Sequence, residues 1–513
     1  MPQHYFWSSD TSRSGHEADI TLSIIPGLGA LANSHLGLVN VQATSLSVGS
    51  AGYHRSKDVG VGAFSDRYNL NFEATENIPA GMELFVNYGS DYFSARENKM
   101  GPMPMMPDYF ESEDILEDFW KHLDLDTSGN KNATESYAKL MDSITKPKVK
   151  MVMPKTFEEA ESVRGAKAAI LNVPNVIKSQ DWLDDNGMCL DNIYPGDSKV
   201  PQAGRGAFAS RKINNGQLIS PMPLMHMNKN VFRVLNDERE IGTQLMLNYV
   251  FGHEKSSLVM LPYSPTVNFV NNHADKSKVN ARMQWSMNKY HNKSWEVESV
   301  EYILGQDNAG LMLELMAITD IEKDEEIYID YGAKWDEAWA DHVQNWKAPP
   351  RSHEYMSVEV LNDAEEVRTE KERVEEPLGY NVITLCWLEV TAFERDIVHG
   401  VQELKWKDYS VDVTRENLED DTSTYCFVEE RYQSDRESGS TRTLYQIYVV
   451  GSARGIEKKV FVDDVPREAI YFVNKPYTSD QHIESAFRHM IHIPDDMFPK
   501  NWMDLDHKQS VME

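Results

Sequence analysis

A pair of glycines marks a place in this 513-residue sequence where the backbone could bind a ligand. Gly204, Arg205 and Gly206 stand in the run QAGRGAFAS, which predicts a strand, a turn and a second strand. Glycines at alternate positions let a backbone approach a ligand closely. A hairpin with a tight packing contact is the alternative, so the motif gains meaning only from the residues that follow it.

A polar cluster follows about 65 residues later. Asn271, Asn272 and His273 stand next to apolar residues and offer neutral hydrogen-bond donors and acceptors. The alternative is a turn in which asparagine side chains bind the backbone. A metal site is not predicted here, because one histidine is present and no cysteine or second histidine lies at ligand spacing.

The third segment, EEIYIDYG, ends in tyrosines that could act on a substrate. Alternation along a strand puts Ile327, Ile329 and Tyr331 on one face and Tyr328 on the other. Tyr331 would then point inward from the end of the strand. A buried tyrosine hydroxyl needs a partner and often marks a site, although an ordinary core tyrosine is the alternative.

The order and spacing of these three segments resemble the SET domain family of protein-lysine methyltransferases. The resemblance covers about Trp182–Trp346, a third of the chain. It implies an α+β, mostly β fold of small curved sheets. It also implies an enzyme that transfers a methyl group from S-adenosyl-L-methionine to the side-chain amine of a protein lysine. The alternative is a SET-fold interaction scaffold with weak or no catalysis.

The resemblance also implies roles for individual residues. The glycine segment matches the strand whose backbone contacts the methionine part of the cofactor. The Asn271 segment matches the family's Asn-His-Ser motif, which holds the cofactor, but its second and third residues are here Asn and His. Tyr331 matches the catalytic tyrosine, and Tyr328 and Trp335 are candidates for the substrate channel.

The chemistry implied by the resemblance is an in-line displacement that requires a neutral lysine amine. Burial disfavours the charged form and so lowers the pKa of a lysine. The hydroxyl of Tyr331 would be aimed at the sulfonium and the amine, and positioning would supply most of the acceleration. The reaction requires neither a metal nor a covalent intermediate.

The sequence after the catalytic strand departs from that of many members of the family. Those members carry a Cys-rich zinc segment that completes the lysine channel, whereas AKWDEAWADHVQNWKAPP contains no cysteine. Trp335, Trp339 and Trp346 could close the channel with aromatic side chains. Alternatively, they could pack the apolar face of a helix onto the domain.

An internal repeat relates the N-terminal region to this domain. The run ALANSH at 30–35 matches NFVNNH at 268–273, and residues 70–93 match residues 312–335, so that Tyr88 pairs with Tyr331. The second copy is preceded by the segment QAGRGAFASRKINNGQLISPMPLMHM at 202–227, and the N-terminal copy, in which PGLG stands directly before ALANSH, has no counterpart of that segment. We therefore predict a partial SET-like copy that does not bind cofactor.

Composition divides the chain into five stretches, and the last of them has no function that the sequence assigns. They are a partial SET-like repeat at 1–98, a Met/Pro-rich and helical connector at 99–178, the SET domain at 179–348, a charged linker or helix at 349–376, and a β-rich module with a helical tail at 377–513.

The net charge of −30 argues against a broad nucleic-acid-binding face and favours a basic, lysine-containing protein partner by long-range steering. Solubility alone is the alternative explanation of the charge. No apolar run approaches the ~20 residues of a membrane span, and the N-terminus has no signal-peptide pattern. The sequence does not predict an oligomeric state.

Cysteine usage gives the last expectation. Cys189, Cys386 and Cys426 lie far apart and form no Cys-x-x-Cys pair. Neither a disulfide framework nor a cysteine zinc site is therefore expected. A reducing intracellular compartment, the nucleus or the cytoplasm, is predicted.

Overall fold

A computed structural model of the chain describes most of its residues. The described residues are 6–8, 22–24, 32–43, 47–48, 54–64, 67–68, 72–125, 133–188, 190–236, 239–388, 393, 396, 404–408, 410, 423–435, 441–453, 456–475 and 478–505. Cys189 and the first two residues of the ALANSH run lie outside them.

Strands outnumber α-helices among the described residues, and most helices are short. The strands are β1 Phe6–Ser8, β2 Leu22–Ile24, β3 Val41–Ala43, β4 Ser47–Val48, β5 Arg67–Tyr68, β6 Phe72–Ala74, β7 Ile193–Asp197, β8 Arg205–Ala209, β9 Leu218–Asn228, β10 Arg233–Asn236, β11 Arg239–Thr243, β12 Phe251–Gly252, β13 Leu258–Pro262, β14 Asn271–Asn272, β15 Ala281–Trp285, β16 Leu311–Ala317, β17 Tyr328–Ile329, β18 Val382–Trp387, β19 Leu404–Lys405, β20 Ser423–Tyr425, β21 Phe427–Asp435, β22 Thr441–Ala453, β23 Ile456–Pro466, β24 Ile470–Asn474 and β25 Ile491–His492. The α-helices are α1 Ser90–Ser94, α2 Glu97–Met100, α3 Met106–Leu125, α4 Ala133–Ser143, α5 Pro147–Val152, α6 Phe157–Ser162, α7 Gln180–Asn186, α8 Val300–Leu304, α9 Ala333–Asn345, α10 Val358–Asp363 and α11 Glu370–Glu375.

The chain divides into two compact units, which we describe separately. Unit 1 comprises residues 1–26, 48–68 and 190–513, and unit 2 comprises residues 27–47 and 69–189. The fold is of mixed α+β class and rich in strands, as the sequence predicted.

A six-stranded sheet with the order β15-β16-β9-β13-β12-β25 forms the centre of unit 1. The strand β13, with the sequence LVMLP, is buried along its whole length, and β9 is buried at eight of its eleven positions. Such continuous apolar runs are typical of strands covered on both faces. Their side chains form one core with Leu313 of β16 and Ala281 of β15, both fully buried.

The end of the described chain contributes to this same sheet. β25 pairs in parallel with β12, so that Ile491 lies opposite Phe251. Trp502 is fully buried in the core, and the indole nitrogen of Trp285 donates to the carbonyl of Met497 at 2.9 Å. The sequence pattern predicts that this segment belongs to the β-rich module, yet its side chains complete the core of the six-stranded sheet.

Unit 2 combines the antiparallel pair β3–β6 with a group of helices. Leu116 and Trp120 of α3 pack with Tyr137 of α4 in one buried cluster. The hydroxyl of Tyr137 donates to the carbonyl of Pro154 at 2.8 Å, so this buried polar group has the partner it needs.

A separate core lies in the C-terminal β-rich part of unit 1, formed by the sheets β20-β18-β24 and β19-β23-β22-β21. Here the prediction that no disulfide forms is wrong: Cys386 and Cys426 are bonded, with their Cα atoms 5.8 Å apart. The two cysteines are 40 positions apart and form no recognisable sequence motif, so the sequence did not predict their bond. Antiparallel pairing of β18 with β20 brings them together. The prediction of a reducing intracellular compartment rested on the absence of disulfides, and this bond removes that support.

The helices among the described residues are all too short or too polar to span a lipid bilayer.

Replacing Trp502 with alanine tests whether the end of the chain belongs to the central core. We expect Trp502→Ala to lower the free energy of unfolding by about 3–5 kcal/mol, because it opens a large cavity. Trp182→Ala is the control, since Trp182 is 40% exposed and its loss should cost far less. Denaturant unfolding of the full chain measures both. Equal costs for the two variants would show that the C-terminal segment does not complete the core.

Candidate active site

The site is organised by two short strands that are far apart in sequence. β14 pairs in parallel with β17, so that Asn271 lies opposite Tyr328 and Asn272 opposite Ile329. The side chain of Asn280 fixes β17 from the other side: its amide donates to the carbonyl of Glu326, and its oxygen accepts from the amide of Tyr328, both at 2.9 Å. The asparagine-rich segment and the tyrosine strand are thereby held side by side.

Tyr331 follows β17 and points into this frame. Its hydroxyl donates to the carbonyl of Val270 at 2.6 Å, and its amide donates to the side-chain oxygen of Asn272 at 3.2 Å. Burial, with a smaller contribution from Tyr249, raises the pKa of the Tyr331 phenol. The hydroxyl therefore stays protonated near neutral pH and acts as a hydrogen-bond donor.

A buried carboxylate, that of Glu326, joins the three predicted segments. It is 1% exposed and accepts from the hydroxyl of Ser198 at 2.6 Å, the amide of Lys199 at 2.7 Å and the hydroxyl of Tyr328 at 2.8 Å. The amide nitrogen of Asn271 lies 3.3 Å away as a further donor. Several donors are what a buried carboxylate needs to remain stable.

Sequence reasoning missed Glu326 and two of the residues that donate to it, Ser198 and Lys199. Glu326 shares strand parity with Tyr328, and that signal could have placed both on one face. Nothing in the sequence pairs the loop at 198–199 with residues more than 120 positions later.

The glycine segment contacts this carboxylate directly. A Cβ atom on Gly206 would collide with the side chain of Glu326, and Gly204 has φ +70°, a conformation that favours glycine. The carbonyl of Arg205 accepts from the amide of Asn271 at 2.8 Å. Within this structure, then, Gly206 leaves room for Glu326, whereas the sequence analysis expected it to leave room for a ligand.

The remaining predicted residues take different positions. The ring of His273 packs edge-on against Tyr328 with centroids 4.9 Å apart, and its Nδ1 accepts from the amide of Asp275 at 3.0 Å. The hydroxyl of Tyr328 points to Glu326, away from the hydroxyl of Tyr331. The structure therefore groups Tyr328 with the carboxylate and groups Trp335 with Tyr331.

Three aromatic rings lie next to Tyr331, just after the end of β17. Trp335 of α9 meets Tyr331 edge-on with centroids 5.0 Å apart and stacks on Trp339 at 5.8 Å. Phe487 contacts both tryptophans, at 5.3 and 5.1 Å. The helix α9 therefore packs Trp335 and Trp339 next to the candidate catalytic residue, and closure of a substrate channel by these rings stays a prediction.

Two histidines and a carboxylate lie near Tyr331, whose carbonyl accepts from the amide of His492 at 3.1 Å. Nε2 of His253 is 3.1 Å from a carboxylate oxygen of Asp495, and Nε2 of His492 is 3.5 Å from the same oxygen. Such a group could hold a metal ion. However, Nδ1 of His253 accepts from the amide of Lys255, so the ring proton lies on Nε2 and donates to Asp495. Hydrogen bonds alone account for this arrangement, and we assign no metal to it.

The family model of the SET domain matches residues 204–332. This range begins at the Gly-x-Gly strand and ends one residue after Tyr331. A search of curated proteins finds no match to the chain.

Several solved structures are similar to part of the chain. A protein of Plasmodium falciparum described as a candidate histone methyltransferase is 19% identical over 29% of this chain and 98% of its own, with a TM-score of 0.19. A polycomb repressive complex 2 of Chaetomium thermophilum is 16% identical over 34% of this chain and 19% of its own, with a TM-score of 0.19. Another polycomb repressive complex 2, bound to S-adenosylmethionine, is 16% identical over 34% of this chain and 19% of its own, with a TM-score of 0.21. This chain thus spans less than a fifth of the polycomb chains.

Residues 204–332 match the SET domain, and they contain the Gly-x-Gly strand, the asparagine segment and the terminal tyrosine in the predicted order. The partial N-terminal copy lies outside the matched range and stays a prediction.

Replacing Glu326 with glutamine tests whether this carboxylate holds the three segments together. An amide in place of one oxygen puts donors against donors, so we expect Glu326→Gln to lower the free energy of unfolding by about 1–3 kcal/mol. Glu337→Gln is the control, because Glu337 is exposed and contacts Lys334 at the surface. Denaturant unfolding measures both, and a Glu326 variant as stable as the control would contradict the assigned role.

Proposed function

We propose that this chain is an S-adenosyl-L-methionine-dependent protein-lysine methyltransferase whose active site lies in residues 204–332. The observation that carries the proposal is the match to the SET domain, in which Tyr331 lies two residues after β17. Its buried hydroxyl donates to the carbonyl of Val270, the residue directly before the asparagine segment. The competing function, an interaction scaffold, would not require this tyrosine to keep its hydroxyl.

The residues proposed to hold the cofactor suit it chemically. The segment from Gly204 to Gly206 offers main-chain groups, Asn271 offers a neutral amide, and Glu326 places a carboxylate beside them. This donor set fits a sulfonium cation with a polar tail better than a phosphate cofactor, which binds at cations and helix N-termini. S-adenosyl-L-methionine would supply an activated methyl group.

The chain's own contribution is positioning. The hydroxyl of Tyr331 is fixed by Val270 and stays protonated, so it can orient an incoming amine but cannot take its proton. Trp335, Trp339 and Phe487 form an apolar wall next to it. Such a wall favours the neutral, nucleophilic form of a lysine amine over its ammonium form. A lysine-rich, basic protein is the expected substrate class for a chain of net charge −30.

Calorimetric titration of S-adenosyl-L-methionine into the full chain tests cofactor binding. We expect saturable binding that Asn271→Ala weakens about tenfold or more, because the amide of Asn271 holds the carbonyl of Arg205 in place. Asn33→Ala, which removes an exposed asparagine of unit 2, should leave the affinity unchanged. If the folded wild-type chain does not bind, the interaction scaffold becomes the better reading.

Transfer is tested with radiolabelled S-adenosyl-L-methionine, core histones, basic peptides and the chain itself as acceptors. We expect Tyr331→Phe to reduce transfer about a hundredfold or more while cofactor affinity is kept, because only a positioned hydroxyl is lost. Tyr88→Phe is a matched control: the Tyr88 hydroxyl also donates to a backbone carbonyl, that of Ala32 at 2.7 Å, but in unit 2. Undiminished transfer by the Tyr331 variant would refute the assigned role.

A further inference from the structure

Unit 2 repeats four hydrogen bonds of the frame that holds Tyr331 in unit 1. Asn40 donates to the carbonyl of Glu83 at 2.9 Å and accepts from the amide of Phe85 at 2.8 Å. In unit 1, Asn280 makes these two contacts with Glu326 and Tyr328.

The tyrosine contacts are repeated as well. Tyr88 donates its hydroxyl to the carbonyl of Ala32 at 2.7 Å and its amide to the hydroxyl of Ser34 at 3.3 Å. Tyr331 does the same with Val270 and Asn272. The aromatic neighbour four residues after each tyrosine is also repeated. The ring of Tyr92 packs edge-on against Tyr88 with centroids 4.9 Å apart, as the ring of Trp335 packs against Tyr331.

The two copies differ at the edge beside the frame. In unit 1 the backbone of Ala207 and Ala209 in β8 pairs with residues 325 and 327. In unit 2 that position is taken by residues 176–178: the amide of Glu83 donates to Val176 and the amide of Lys178 donates to Gly81, both at 2.9 Å. An extended segment without glycine, which forms one isolated bridge between Ile177 and Met82, thus lies where the Gly-x-Gly strand lies in unit 1.

They also differ in a cluster of charges that is found around the Tyr331 copy. The ammonium group of Lys276 lies 2.8 Å from Asp330 and 2.8 Å from Asp336, and it donates to the side-chain oxygen of Asn272 at 3.0 Å. This oxygen is the one that accepts from the Tyr331 amide. In unit 2 the residues aligned with the two aspartates are Asn87 and Phe93, which cannot form this cluster.

We propose that residues 32–43 and 72–94 are a second, non-catalytic copy of the SET frame, and that Lys276 is a positioning residue for Tyr331 in the copy that carries the site. Contacts shared by both copies build the fold. Contacts made only in unit 1 then serve the site, and Lys276 ties the asparagine segment, the strand end and α9 to one point. The assignment to Lys276 rests on the proposed methyl transfer, whereas the shared frame does not.

The exposure of the Lys276 ion pairs distinguishes a positioning role for Lys276 from a purely structural one. The side chains of Lys276, Asp330 and Asp336 are 40, 53 and 36% exposed. Ion pairs this accessible contribute little to stability and are screened by salt. Lys276→Met should therefore leave the melting temperature nearly unchanged, yet it removes the contact that orients Tyr331 through Asn272.

The experiment compares the full-length wild-type chain with Lys276→Met and Lys276→Arg in the radiolabel assay. We expect Lys276→Met to lower the turnover rate about tenfold to a hundredfold at unchanged cofactor affinity and melting temperature, and Lys276→Arg to restore most of it. Wild-type turnover should also fall as sodium chloride is raised. Undiminished turnover by Lys276→Met overturns the assignment, whereas absent turnover in the wild type overturns the proposed function instead.

The shared frame is tested without any activity, by hydrogen exchange. Asn40→Ala should speed exchange of the Phe85 amide, and Asn280→Ala should speed exchange of the Tyr328 amide, because each asparagine oxygen accepts from that amide. If the Phe85 amide stays as protected in Asn40→Ala as in the wild type, unit 2 is not a second copy of the frame.

Discussion

The parallel pairing of β14 with β17 is the constraint on which the site depends. Two residues on each strand suffice to align an asparagine segment with a tyrosine strand more than 50 positions later. So short a ladder has few backbone hydrogen bonds of its own, and side chains must supplement it. Asn280 and Asn272 do so from opposite ends, each binding the amide of a tyrosine. Asparagine suits both places because one amide group carries a donor and an acceptor.

Burial gives this small frame its rigidity. Glu326, Asn280 and Asn272 are all buried, and each has hydrogen-bond partners within the frame. In a low-dielectric surrounding, each of these bonds is stronger than in water, and each unmade bond is costly. A buried polar network of this kind therefore favours one arrangement of the strands over all others. Precision in the placement of Tyr331 follows from the same contacts that stabilise the fold.

Much of this arrangement could be predicted from the sequence, because its parts are local patterns. The alternation of residues along the strand predicted that Tyr331 points inward, as its hydrogen bond to Val270 shows. The order of the three segments indicated the SET domain that the family model matches at 204–332. What could not be predicted depends on long-range closure. The contact of Ser198 with Glu326 and the bond between Cys386 and Cys426 arise only when distant strands pair. Neither has a sequence pattern of its own.

The end of the chain illustrates the same limit, with a consequence for the site. Its apolar residues carry no motif, and nothing near them in sequence indicates which core they fill. In the folded chain, β25 extends the central sheet, the amide of His492 donates to the carbonyl of Tyr331 at 3.1 Å, and Phe487 packs on Trp335. The strand end that carries Tyr331 is thus held by α9 on one side and by residues more than 150 positions later on the other. Contacts of such sequence separation form late, because loop closure costs entropy before they stabilise anything. Most contacts of the frame around β17 close over shorter sequence separations than those of its aromatic wall, which is complete only when the last segment has docked.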